Sequence, residues 1–241
     1  MKLEVSLAKG KRPKVSNGNS DMTRAAYEAI RQLMFHNEIA PGQKLSYRDL
    51  SERIGMSFTP IIQALKFLEF QDLVRHEPNR GYYTAPIDVH EVEEIYKARE
   101  LIEVSLLDET ISRIDQEAIQ QLKFAFNSYS AAASGKSFTH RLIEHKKFHL
   151  TLASLSGSRV RIQILSSLFD QLYLKFGGSF IFRHYTRDNE NMLLHQQISE
   201  AVVDRNLTRA QDLLRRDIME TREQVISDLG QFIEDKATAI F

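Results

Sequence analysis

The chain has 241 residues, with 32 Lys plus Arg against 32 Asp plus Glu and no cysteine. Without cysteine there can be no disulfide, no thiolate zinc site and no cysteine nucleophile. No apolar run approaches the roughly 18 residues that cross a membrane, and the N-terminus lacks a signal-peptide core, so the sequence implies a soluble, cytoplasmic protein with no membrane partner and room for two domains.

Charge is mildly uneven along the chain. Residues 1–88 hold 13 basic and 10 acidic side chains, a net +3, and the remainder holds 19 and 22, a net −3. Residues 1–20 read as a flexible leader, because Lys9, Lys11, Arg12 and Lys14 lie among Gly, Pro, Ser and Asn without periodicity. Such a leader is either a solvated tail or an arm able to add phosphate contacts.

Residues 21–87 carry the pattern of a winged helix-turn-helix. Ser46 is placed to cap a short helix, with Asp49 three residues on and Leu50 and Ile54 on its apolar face, and Gly55 ends it. Ser57 is placed to cap a second helix in which Ile61, Leu65 and Leu68 recur at helical spacing, leaving Phe58, Thr59, Ile62, Gln63 and Lys66 toward the outside. Two short helices around a glycine turn form the DNA-reading motif. Leu73-Val-Arg-His-Glu and Gly81-Tyr-Tyr-Thr-Ala then fit a two-stranded hairpin, and the Pro78-Asn-Arg-Gly turn puts Arg80 at its tip, a candidate groove or phosphate contact.

Beyond Pro86 no further proline occurs, and helical patterns follow one another with short breaks. Asp88 is placed to cap a helix through Leu106; others are expected from about Gln116 to Ala133, Phe138 to Leu155, Ser158 to the Gly177-Gly178 pair, Asn189 to Asp204 and Leu207 to Glu234. Short loops force neighbours to run back along each other, so residues 88–235 should form an antiparallel bundle of six to seven helices. The fold class is mainly α.

Four side chains in this bundle carry chemistry. His145 and His149 share a helix stripe with Leu142 and Leu152, His195 lies with Ile198 and Val202, and Asp217 aligns with Ala210 and Leu214. A buried carboxylate is costly unless paired, and core-facing imidazoles offer neutral nitrogens that suit a divalent cation. The alternative for each histidine alone is a hydrogen-bonded packing residue. Zn, Ni or Mn would suit this ligand set, which does not decide among them.

The stretch Leu50-Ser-Glu-Arg-Ile-Gly-Met-Ser-Phe-Thr-Pro-Ile-Ile-Gln-Ala-Leu65 resembles the winged-helix signature of the GntR superfamily of bacterial transcription regulators, Leu-Ala-Glu-Arg-Leu-Gly-Val-Ser-Arg-Thr-Pro-Val-Arg-Glu-Ala-Leu. Phe58 and Ile62 stand where that family places arginines, while Arg48 and Arg80 are kept. The resemblance implies a DNA-contact set of Arg48, Ser57, Phe58, Thr59, Gln63, Lys66 and Arg80. An atypical operator follows, with thymine methyls touched by Phe58 in place of guanine edges.

The remainder resembles the FadR-type C-terminal domain, known as FCD. Its metal-binding members carry Asp-x-x-x-His and two later histidines; here those positions hold His145, His149, His195 and Asp217, a reciprocal exchange of Asp and His that keeps the inventory of three His and one Asp. The resemblance also matches Arg99, in Ala98-Arg-Glu-Leu-Ile-Glu103, to the family's Arg-x-x-Leu-Glu, implying a contact to an anionic effector; an interhelical salt bridge with a nearby Glu is the alternative.

The expected protein is therefore a homodimeric regulator, not an enzyme, that binds a divalent metal and a small carboxylate in its bundle and an inverted repeat of double-stranded DNA with its heads. The rival is a metal-dependent ligand-binding bundle or enzyme with a vestigial DNA-binding domain. No Gly-x-Ser-x-Gly elbow or phosphate-binding glycine loop favours catalysis.

Overall fold

The computed structural model describes residues 17–135, 137–175 and 188–238. The leader cations Lys9, Lys11, Arg12 and Lys14 and the Gly177-Gly178 pair lie outside the described residues. Among those described, the chain is mainly helical, with a head built of α1 (Asn17–Phe35), α2 (Tyr47–Ile54), α3 (Phe58–Phe70) and three short strands, followed by a bundle of six helices.

Local chemistry sets the head. Ser46 Oγ accepts from the Asp49 amide at the start of α2, and Gly55 ends it at φ 73, a left-handed conformation that glycine, lacking a Cβ, adopts at least cost. Ser57 flanks α3, but its hydroxyl makes no capping hydrogen bond, so the expected cap is not formed. Ile61, Leu65 and Leu68 are fully buried in a core to which α1, packed on α3, adds Ile30 and Ala26, as the helical spacing required. Removing each such side chain from water stabilises the fold by about 1.5–3 kcal/mol.

The wing has three strands rather than two. β2 (Val74–Glu77) pairs antiparallel with β3 (Gly81–Thr84), and β1 (Lys44–Leu45) joins the other edge of β3. A two-residue strand carries no readable alternation, which is why the sequence did not reveal it. Asn79 and Gly81 take positive φ at the hairpin, which places Arg80 at its exposed tip.

The bundle comprises α4 (Val89–Arg113), α5 (Gln116–Ala133), α6 (Phe138–Ser154), α7 (Arg159–Asp170), α8 (Asp188–Val203) and α9 (Leu207–Thr238). Asp88 caps α4 through the His90 and Glu91 amides, Asp115 caps α5 and Ser137 caps α6, so each start is set by a side chain visible in the sequence. α9 packs along α4 and α8, and α5 along α6. The helix expected from about Ser158 is α7 as far as Asp170 and then widens into a π turn, Gln171–Lys175.

Candidate metal centre

Three helices deliver one polar cluster to the middle of this core. His145 and His149 come from α6, His195 from α8 and Asp217 from α9, and all four are buried. One ligand atom from each lies within 4.8 Å of all the others. His149 Nε2 stands 3.2 Å from His145 Nε2 and 3.2 Å from His195 Nε2, and 3.5 Å from Asp217 Oδ2. Two nitrogens bound at about 2.0–2.1 Å to a common ion would sit about 3.0–3.4 Å apart, so the spacing of His149 to each of the other two imidazoles fits metal coordination.

Hydrogen bonding fixes which ring atoms face inward. His149 Nδ1 donates to Glu103 Oε2 at 2.6 Å, and His195 Nδ1 donates to the Asn191 carbonyl at 2.7 Å. Carboxylate and carbonyl oxygens only accept, so in the neutral rings Nδ1 carries the hydrogen and Nε2 presents a lone pair. His145 Nδ1 meets the Tyr173 hydroxyl at 2.9 Å, which leaves its Nε2 toward the others as well. Lone pairs of His149 and His195 brought this close, with a buried carboxylate beside them, suit a positive charge among them.

Electrostatics points the same way. Burial, then the charges of His149, His195 and Arg99, holds His145 well below the ordinary imidazole range; burial also lowers His195, although Asp217 opposes it. Burial would raise the Glu103 carboxyl, but Arg99 and His149 outweigh it and bring it down to about 2. Asp217 Oδ1 is buried without a hydrogen-bond partner, an arrangement that costs about 1–3 kcal/mol or more for a charged group. The residues present therefore fit a divalent cation.

Arg99 is 1% exposed, its guanidinium 4.0 Å above the Phe169 ring, and its Nε donates to Glu103 Oε1 at 2.8 Å. The ion pair lies within α4 rather than between helices. With Arg99, Glu103 and Asp217 ionised the pocket carries one net negative charge. A divalent ion makes that one net positive, which a monocarboxylate would neutralise.

Glu103 and Tyr173 were not singled out by the sequence, although each holds an imidazole of the cluster. Glu103 reads as one more charge in a charged helix, four residues beyond Arg99, and only the packing of α4 on α6 reveals its role. Burial raises the Tyr173 hydroxyl well above the ordinary tyrosine range, so it remains a neutral partner.

The DNA-contact candidates lie on α2, α3 and the wing. Phe58 is 53% exposed, Thr59, Gln63 and Lys66 are exposed along α3, and Ser57 precedes them. Gln63 Oε1 accepts from Thr23 Oγ1 at 3.0 Å, which fixes its amide oxygen. Arg48 is exposed and paired with Glu52 at 2.8 Å, and Arg80 with Glu77 at 3.6 Å. Lys44 and Arg75 both approach the Tyr83 ring, at 5.9 and 5.5 Å, because their strands flank β3 at that register. The placement of Lys44 depends on β1, which the sequence did not reveal; Arg75 lies on the expected strand β2.

Comparison with known proteins accords with both halves. The model of the FCD domain matches residues 94–220, more than half of the chain, and that of bacterial regulatory proteins, gntR family, matches residues 22–83. The HTH-type transcriptional regulator YdhC of Bacillus subtilis is 26% identical over 184 residues, covering 75% of this chain and 80% of that protein. The HTH-type transcriptional repressor GlaR of Escherichia coli K12 is 25% identical over 202 residues, covering 80% and 90%. Among solved structures, E. coli McbR/YncC shares the fold with a TM-score of 0.74 at 14% identity, over 86% of this chain and 98% of that one.

Proposed function

This chain belongs to the gntR family of bacterial regulatory proteins and carries an FCD domain, and from that membership we propose that its bundle holds a divalent cation and a small organic acid, whose binding sets how paired heads grip an inverted repeat. It is a transcriptional regulator; the matched domains and relatives are those of regulators rather than enzymes. No helix among the described residues is long and apolar enough to cross a membrane, and a cytoplasmic place of action goes with DNA as the partner.

The observation that carries the reading is the convergence of His145, His149, His195 and Asp217 within 4.8 Å in the core. In this reading all four hold the ion, for which the ligand types suit Zn, Ni or Mn alike, and the ion supplies open positions for a carboxylate that Arg99 balances in charge. Elemental analysis and Zn titration of the stripped protein test it: about one ion per chain is expected, and none in His149→Ala or Asp217→Ala.

On the head, Phe58 and Thr59 at the start of α3 and Gln63 and Lys66 beyond them face the major groove, with Ser57 and Arg48 at the helix approach and Arg80 on the wing. Apolar Phe58 suits the thymine methyl, and the cations suit phosphate. A second copy completes the two-fold grip. Exposed Leu101 on α4 and exposed Val160 and Ile164 on the neighbouring α7 support such pairing through the bundle. Ligand acts by differential affinity for two arrangements of the heads. Gel-shift with a salt series tests the DNA half, where binding that fails to weaken with salt, or is absent, overturns it.

A further inference from the structure

Two successive residues of α6 reach the same turn. His145 meets the Tyr173 hydroxyl at 2.9 Å, and Lys146 Nζ donates to Asp170 Oδ1 at 2.6 Å. The head is fastened to that turn too. Arg31 of α1 donates to both Asp170 oxygens at 3.0 Å, and the Tyr173 ring packs against Phe35, the last residue of α1, with centroids 6.4 Å apart.

From Arg31 the contacts run on into the head. Its Nη1 donates to the Tyr27 hydroxyl at 2.9 Å, and that hydroxyl donates to Gln71 Oε1 at 2.6 Å, at the C-cap of α3. The bidentate pair is substantial for its place: the Arg31 and Asp170 side chains are only 19% and 21% exposed. Beside it a cleft of about 210 Å³ opens between Gln71 and Leu73 of the head and Gln163 and Ser166 of α7, which leaves room for the head to change angle about the turn.

The geometry points to the Asp170–Tyr173 turn as the element that couples filling of the centre to the angle of the winged head. This rests on the cation reading above. When His145 Nε2 is given to a cation, the ring hydrogen must sit on Nδ1, so the Tyr173 oxygen accepts and its own hydrogen turns to another acceptor. In the other tautomer Tyr173 donates to Nδ1. The two states thus differ in a buried hydrogen bond at the one turn that also holds Arg31 and Phe35, and the π turn is a common device at functional sites. The coupling is a difference in population between two head arrangements.

Hydrogen exchange of the full chain, metal-free and with Zn alone, tests it. In the wild type Zn slows exchange in α6 and α8 and changes exchange in α1 and the last turn of α3 by about fivefold or more, the lower end of ordinary coupling. Asp170→Asn keeps the α6 and α8 response and reduces the α1 response to less than about twofold; Arg31→Gln does so from the head side, and Tyr173→Phe at saturating Zn. Variants that pass the response to α1 as the wild type does overturn the coupling. So does a wild type in which α6 and α8 respond while α1 does not, and there the cation reading stands. Zn that leaves α6 and α8 unchanged overturns the cation reading and the coupling together.

Discussion

Glu103 clamps His149 and Arg99 at once: Oε2 accepts from His149 Nδ1 at 2.6 Å and Oε1 accepts from Arg99 Nε at 2.8 Å. The clamp orients the imidazole and fixes the tautomer that turns Nε2 toward an ion. Glu103→Gln keeps the shape and removes the charge, so Zn affinity should fall about 10–100-fold in a competition titration. Unchanged affinity would show that the carboxylate serves Arg99 alone.

The exchanged corners are tested by exchanging them back. His145→Asp and Asp217→His should each weaken Zn binding, and the double variant should recover most of the loss, with a coupling of about 0.5–3 kcal/mol between the two sites. Strictly additive losses would mean that one of the two side chains does not reach the ion.

Acid should destabilise the metal-free protein earlier than a typical regulator of this size. His145 and His195 have lowered values in the fold, so below about pH 6.5 the unfolded chain binds protons that the folded one does not, and stability falls as pH falls through that window and is flat above it. Each ring contributes up to about 1.4 kcal/mol per pH unit. Glu103 acts in the same direction lower down, its stabilisation lost between its ordinary 4.5 and about 2. Urea unfolding after chelation measures this: His145→Gln and His195→Gln should flatten the upper window, and a wild type already flat there would refute the assignment.

Much of this was legible from period and punctuation. The stripes of His145, His149, His195 and Asp217 pointed inward because apolar residues one turn away had to, and Gly55, Asp88 and Ser46 marked their helix ends by their own chemistry. What was hidden depends on contacts distant in sequence. Glu103 meets His149 46 residues away, and Asp170 meets Arg31 across 139 residues; β1 is too short to show alternation, and the sequence could not show that the Ser57 hydroxyl makes no cap.

DNA selection separates phosphate from base contacts on the head. Lys66→Ala should lower affinity for all sites alike and reduce the salt slope by about one. Phe58→Arg with Ile62→Arg should move the selected sites toward guanine, by about 1–3 kcal/mol per contact. An unaltered preference would remove α3 from base reading.

Pairing of copies is tested on the bundle face. Leu101→Glu or Val160→Glu places a charge in the apolar patch of α4 and α7, so sedimentation should shift from dimer to monomer with helicity retained. A wild type that sediments as a monomer, or variants that still pair, would locate the two-fold contact elsewhere.

X-ray absorption at the metal edge of Zn-loaded full-length protein addresses the centre most directly. The account requires about one Zn per chain with nitrogen and oxygen neighbours at about 2.0–2.1 Å and the outer-shell scattering of about three imidazoles. Loading well below one ion per chain, or a shell without imidazole, would contradict it.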